Sequence, residues 1–148
     1  MGSIVRNLLK VKGNDVWHVS PETSVLDALK LMAEKQIGAL LVLEGDQIVG
    51  IVSERDFVRK IAQMNLCAVE SPVRDYMTTR VIIIKPDNSI DDCMALMTDK
   101  HIRHLPVMEG GSLVGMISIG DLVKETIKGH ETTIKQLENY ITGTGYNR

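Results

Sequence analysis

Gly50-Ile-Val-Ser-Glu-Arg-Asp56 and Gly115-Met-Ile-Ser-Ile-Gly-Asp121 share one pattern: a glycine, two apolar residues, a serine, two variable positions and an aspartate. They lie 65 positions apart. Working outward at that offset, residues Val16 to Arg59 align with Val81 to Lys124 without a gap, and 17 of the 44 pairs are identical. Pro21 falls on Pro86, Ser24 on Ser89 and Asp27 on Asp92. A solenoid needs at least about three shorter units, so a long period used twice reads as one small unit duplicated. The two copies are expected to pack on each other, with any function present twice or shared between them.

Within the first copy, Trp17-His18-Val19 reads as extended, because Pro21 disfavours helix in the residue before it. Ser24-Val-Leu-Asp27 has the form of a capping box, and Val25, Ala28, Leu29, Met32 and Ala33 follow at helical spacing. The helix is expected to stop near Ile37-Gly38. Leu40 to Leu43 and Ile48 to Val52 are apolar and β-branched, joined by Glu44-Gly-Asp-Gln47, which predicts a hairpin. Ser53 then opens a second helix carrying Phe57, Val58 and Ile61. The second copy predicts the same order: strand Val81 to Ile84, helix Ser89 to Lys100, hairpin Leu105–Met108 with Leu113–Ser118, and a last helix ending near Gly129.

The lead-in repeats as well. Val5-Arg-Asn-Leu-Leu9 matches Val73-Arg-Asp-Tyr-Met77, with three extra residues following it in the first copy. The expected organisation is repeat 1 over residues 4–66 with its lead-in helix, a linker over 67–72, repeat 2 over 73–129, and a C-terminal helix and frayed tail over 130–148. Ile134, Leu137 and Ile141 give that last helix one apolar face to bury.

Bulk properties narrow the function. The chain has 148 residues, 44% of them hydrophobic, and a net charge of −2 with acids and bases interspersed. No basic stripe suits a nucleic-acid backbone, and no apolar run approaches the roughly 18 residues that span a bilayer. The start has no signal-peptide layout, which predicts a cytoplasmic protein. Cys67 and Cys93 are not equivalent in the repeat. Cys93 replaces Ala28 on an apolar helix face and is expected as a buried thiol. His18, His101, His104 and His130 form no zinc spacing, so no metal is expected. No nucleophile elbow, phosphate-binding P-loop or Cys-His signature points to an enzyme.

The duplicated strand-helix-strand-strand-helix unit resembles the cystathionine-β-synthase (CBS) domain, which occurs in tandem as a Bateman module. Both glycine-serine-aspartate stretches carry the likeness, as do Val73-Arg-Asp-Tyr-Met-Thr78, Ile102-Arg-His-Leu-Pro-Val107 and the Ser20-Pro21 and Lys85-Pro86 strand ends. The resemblance covers roughly residues 4 to 128. It implies an α/β (α+β) fold of two CBS units packed with pseudo-two-fold symmetry through their sheets. It also implies a flat homodimer formed through the helices, with the faces around Val58, Ile61, Val123 and Ile127 as candidates.

The resemblance further implies an adenine nucleotide (AMP, ATP or NAD(H)) as ligand, held between the copies. The implied contacts are Val19, Gly38, Ala39, Ser53, Arg55, Asp56 and Thr78 from one part of the chain. From the other come Ile84, Pro86, Arg103, His104, Leu105, Pro106, Ser118 and Asp121. Asp56 and Asp121 would take hydrogen bonds from ribose hydroxyls, since an ionised carboxylate only accepts. Ser53 and Ser118 would contact phosphate or ribose at a helix N-terminus, whose field favours anions. Gly50 and Gly115 would permit close packing at the cleft.

Each serine-aspartate pair also reads as a plain capping box, as Ser24 and Asp27 do. Trp17 is expected to bury against the first helix. Lys10 and Lys12 could close a phosphate pocket, but exposed lysines are common and both stay unassigned. Cations divide unequally between the copies: Arg55 in one, Arg103 and His104 in the other. The reading is a nucleotide-sensing regulatory module acting on an unknown partner in trans. Its alternative is a homodimeric structural or interaction scaffold with unoccupied clefts.

Overall fold

The computed structural model describes residues 3–64 and 69–128. Cys67, His130, Gly129, part of the linker and the C-terminal helix and tail fall outside the described residues. The elements are α1 (Val5–Lys12), β1 (His18–Val19), α2 (Val25–Lys35), β2 (Ala39–Glu44), β3 (Gln47–Ser53) and α3 (Glu54–Met64). A 3₁₀ turn (Val73–Asp75), α4 (Ile90–Lys100), β4 (His104–Glu109), β5 (Ser112–Ser118) and α5 (Ile119–Lys128) follow.

The chain divides into two compact units, and they do not follow chain order. One is Asp15–Ile83; the other joins the segment up to Asn14 with the chain from Ile84 onward. The lead-in helix α1, which precedes the first repeat in sequence, therefore folds with the elements of the second.

In the Asp15–Ile83 unit the sheet order is β1-β2-β3, with β1 parallel and β3 antiparallel to β2. Leu40, Leu41 and Val42 on β2 are fully buried. Consecutive residues of a strand point to opposite faces, so β2 is covered on both sides. One face meets α2 through Val25, Ala28 and Met32, together with Phe57 of α3 and Val73 and Tyr76 beyond it. Val25, Met32, Phe57 and Val73 each contribute about 1.5–3 kcal/mol on full burial. Ser24 starts α2 by accepting the Asp27 N–H at 3.1 Å. Gln36 closes it in the left-handed region (φ 55°), its N–H reaching the Met32 carbonyl.

The lead-in of the second repeat completes this unit. Val73 N–H donates to the Thr23 carbonyl (2.8 Å), Arg74 N–H to Pro21 (3.1 Å), and Val25 N–H to Ser71 (2.8 Å). Arg74 also pairs with Glu22.

The other unit repeats the plan with α1 in that role. Val5 N–H donates to Asn88 (2.9 Å), Arg6 N–H to Pro86 (2.8 Å), and Ile90 N–H to Ser3 (3.0 Å). These are the same three bonds at equivalent positions. Arg6 pairs with Asp87 and Glu109 at 3.1 and 2.7 Å. Strands β4 and β5 form a hairpin that turns through Gly110 (φ 58°) and Gly111 (φ 81°). Two successive residues with positive φ are what a tight hairpin turn of matching twist requires. Cys93 is buried on α4 as expected, and burial, with Asp92 adding to it, pushes its thiol up to about 11.

The expected strand Val81 to Ile84 does not form. Only Ile84 bridges, to Val107. In the first repeat Leu41 N–H donates to the Trp17 carbonyl. The residue equivalent to Leu41 is Pro106, which has no N–H to give. The second strand therefore shrinks to a single bridge.

Trp17 also departs from expectation. It is 39% exposed, with the Lys35 ammonium 4.4 Å from its ring centroid. That is a cation–π contact at the surface rather than a core position.

Candidate functional site

Each unit brings one set of the expected residues together where its hairpin hands over to a helix. In the Asp15–Ile83 unit, Ala39 pairs with Ser53 across the hairpin, and Glu54 N–H donates to the Gly38 carbonyl at 3.1 Å. Gly38, Ala39, Ser53, Arg55 and Asp56 thus share one corner, with Arg55 exposed and Asp56 half-buried. Val19 is buried three residues further along, opposite Val42. Thr78 is exposed on the open side of β3, exchanging two main-chain hydrogen bonds with Ile51 (2.8 and 3.0 Å).

The other unit builds the same corner. His104 pairs with Ser118, and Ile119 N–H donates to the Arg103 carbonyl at 2.9 Å. Arg103, His104, Ser118 and Asp121 meet there. Leu105 and Pro106 are buried along β4. Ile84 is buried too, its N–H bonded to Pro106 and its carbonyl to Met108. Pro86 is buried and its carbonyl is taken by Arg6.

The serine-aspartate pairs at these corners are capping boxes, but fuller ones than those opening α2 and α4. Asp56 N–H donates to Ser53 Oγ (3.3 Å), and Asp56 Oδ2 accepts from Ser53 N–H (2.8 Å) and Ser53 Oγ (3.0 Å). Asp121 N–H donates to Ser118 Oγ (3.1 Å), and its Oδ2 accepts from Ser118 N–H (2.8 Å). Ser24 and Ser89 also accept from Asp27 and Asp92 N–H, at 3.1 and 3.0 Å. Among the described residues those two aspartates return no bond to their serines. The return bond holds Asp56 and Asp121 by one oxygen at the strand–helix junction.

Lys12, unassigned from sequence, proves to belong to the second corner. Its ammonium stands 2.6 Å from Asp121 Oδ2 and 2.5 Å from the Met116 carbonyl. The Asp121 carboxyl is raised by burial, but the Lys12 hydrogen bond and the Ser118 N–H outweigh this and hold it below the usual carboxylate range. His104 is lowered from its ordinary value by burial first, then by Lys12 and Arg103, with Asp121 opposing. The neutral imidazole is favoured. The signal for Lys12 was the three-residue extension after the first lead-in. It lets α1 run one turn past Leu9 and carries a lysine to β5.

Gly50 and Gly115 are tight positions, but what crowds them is the lead-in. A Cβ on Gly50 would stand 2.6 Å from Met77 Sδ, and one on Gly115 would stand 2.8 Å from Leu9 Cδ2. Met77 and Leu9 are equivalent residues of the two lead-ins. Two open recesses lie nearby: about 350 Å³ beside Gly38, Ile37 and Glu54, and about 400 Å³ beside Pro86, Arg6 and Lys10. Neither is lined by Asp56 or Asp121. Among the described residues no cluster of His, Cys, Asp and Glu is placed to hold a metal, and no helix is long and apolar enough to cross a membrane.

The CBS domain profile matches this chain twice, at residues 9–63 and 73–128. The chain belongs to the CBS domain family. A CBS domain-containing protein of Arabidopsis thaliana, CBSX3, mitochondrial, is 36% identical over 96% of this chain and 73% of its own length. The solved structure of a protein with CBS domains from Burkholderia ambifaria MC40-6 superposes with a TM-score of 0.82. It is 48% identical, covering 85% of this chain and 95% of that one. The crystal structure of CBSX2 in complex with AMP has a TM-score of 0.69 at 27% identity, covering 87% and 99%. The mixed α/β fold of tandem CBS repeats is thereby shown.

Proposed function

We propose that this CBS pair is a regulatory module that binds an adenine nucleotide and acts on a partner in trans, without catalysis of its own. The observation that carries the reading is the returned carboxylate. Asp56 and Asp121 each commit Oδ2 to their serine, Asp121 to Lys12 as well, and among the described residues Oδ1 of each takes no bond at the helix N-terminus. A ribose offers two hydroxyl donors to such an oxygen, and a phosphate finds a favourable field there. AMP in the related CBSX2 supports the ligand class. The proposed contacts are Ser53, Arg55 and Asp56 with Gly38 and Ala39, and Ser118 and Asp121 with Arg103 and His104. AMP, ATP and NAD(H) are the candidate ligands. Binding would bias a conformational equilibrium by its differential affinity, and the partner reads that bias.

A second copy of the chain belongs to the proposal. Val58 is 68% exposed on α3, and Val123 and Ile127 are each 40% exposed on α5. These apolar helix faces favour a homodimer, and they also carry the scaffold reading if no nucleotide binds. The free thiol of Cys93 fits a reducing compartment, and the cytoplasm is the proposed location.

Calorimetric titration with AMP, ATP and NAD tests the ligand. Saturable binding by the wild-type protein is expected, weakened about tenfold or more by Asp121→Ala and lost in Asp56→Ala/Asp121→Ala, with the variants still folded. That loss corresponds to about 1.4 kcal/mol or more. No binding of any of the three would leave the scaffold, whereas wild-type binding by the double variant would overturn Asp56 and Asp121 as the contacts.

A further inference from the structure

The two corners differ in how the open side of the hairpin is closed. Ile51 and Met116 are equivalent residues of the outer strands β3 and β5. The Ile51 carbonyl accepts the Thr78 main-chain N–H at 2.8 Å. The Met116 carbonyl accepts the Lys12 ammonium instead. One lead-in ends in a 3₁₀ turn and then pairs as backbone; the other continues as helix and reaches β5 with a side chain. Residues three apart on a helix share a face. Leu9 therefore seats on Gly115 while Lys12, one turn on, reaches Asp121.

Charge differs accordingly. Glu54, Arg55 and Asp56 leave the first corner with one net negative charge. At the second, Ile119 and Gly120 replace Glu54 and Arg55, and Lys12 and Arg103 outweigh Asp121 by one positive charge. The Lys12 and Asp121 side chains are 35% and 20% exposed, so a ligand can reach them.

We propose that Lys12 is a specificity-determining residue of the second site: its ammonium occupies Oδ2 of Asp121 in the free protein, and a phosphate that takes over the ammonium frees that oxygen for a ribose hydroxyl. This rests on the nucleotide-binding reading above. Lys12 and Ser118 both occupy Oδ2 of Asp121, so a neutral nucleoside that engages both carboxylate oxygens must compete with a charge-assisted bond and brings nothing to replace it. A nucleoside monophosphate supplies a better partner for the ammonium, so sugar and phosphate recognition become coupled. The site therefore discriminates by phosphate, which a capping aspartate alone cannot do.

The test compares adenosine with AMP by calorimetry in an Asp56→Ala background, which confines binding to the second site. Asp56→Asn, which retains a capping acceptor, serves as a second background. AMP is expected to bind more tightly than adenosine. Lys12→Met should cut the AMP-to-adenosine affinity ratio about tenfold, by strengthening adenosine and weakening AMP, and Lys12→Arg should preserve it. An unchanged ratio in Lys12→Met, with the protein folded by its melting curve and AMP binding still sensitive to Asp121→Ala, overturns the role of Lys12 alone. Absence of AMP binding in both backgrounds and in the wild type overturns the nucleotide reading and this proposal together.

Discussion

Leu9 occupies the space that a side chain on Gly115 would need, with its Cδ2 2.8 Å and its Cδ1 3.1 Å from the position of a Cβ. Leu9 is itself buried, so it has little room to withdraw. Gly115→Ala should destabilise the protein by about 1–3 kcal/mol, the usual cost of overpacking. Leu9→Ala alone should cost about 2–5 kcal/mol through the cavity it leaves. In the double variant the two changes occupy the same space, so the loss should fall short of their sum. Urea unfolding of the four proteins of this cycle measures the coupling. Strict additivity would show that the two residues do not meet.

Tyr76 is 2% exposed and packs on Phe57, ring centroids 5.6 Å apart. Among the described residues its hydroxyl has no hydrogen-bond partner. The equivalent lead-in position in the other repeat is Leu8, also buried. A buried unsatisfied hydroxyl costs about 1–3 kcal/mol. Tyr76→Phe keeps the ring and is expected to raise the unfolding free energy or leave it unchanged. A clear loss of stability on denaturant unfolding would mean that the hydroxyl is satisfied in solution.

Acid should weaken the fold in two steps. The His104 pKa is below its unfolded value of about 6.5, so the unfolded chain takes up a proton first. Stability is complete above about pH 6.5 and falls as pH drops towards the folded pKa. Asp121 is also lowered, and its contribution is lost below about pH 4, as pH falls through its folded value. His104→Gln should flatten the first step and Asp121→Asn the second. Unfolding free energies measured from about pH 7.5 down to about pH 2 check both signs.

Most of the local structure was legible because it rests on local chemistry. Ser24 and Ser89 cap their helices, and Gly110-Gly111 turns its hairpin, through bonds a few residues long. Val81 to Ile84 misled because an apolar β-branched run says nothing of its partner, and Pro106 on that partner cannot donate. The placement of α1 was hidden for the same reason: the bonds from Val5 and Arg6 go to residues some eighty positions away, and no periodicity encodes that choice. The serine-aspartate corners were visible as a repeated pattern. The return bond that separates them from Ser24 and Ser89 depends on how the carboxylate turns. Lys12 stays unassigned from sequence because its role depends on helix length and on a carbonyl across the unit.

The crossing of the lead-ins has a consequence for any shortened version of the chain. Removing residues 1–14 deletes nothing from the Asp15–Ile83 unit. It strips Val5, Leu8 and Leu9 from the core that the distant half of the sequence relies on. A trimmed or processed amino terminus would thus leave its immediate neighbour whole and injure residues a hundred positions downstream.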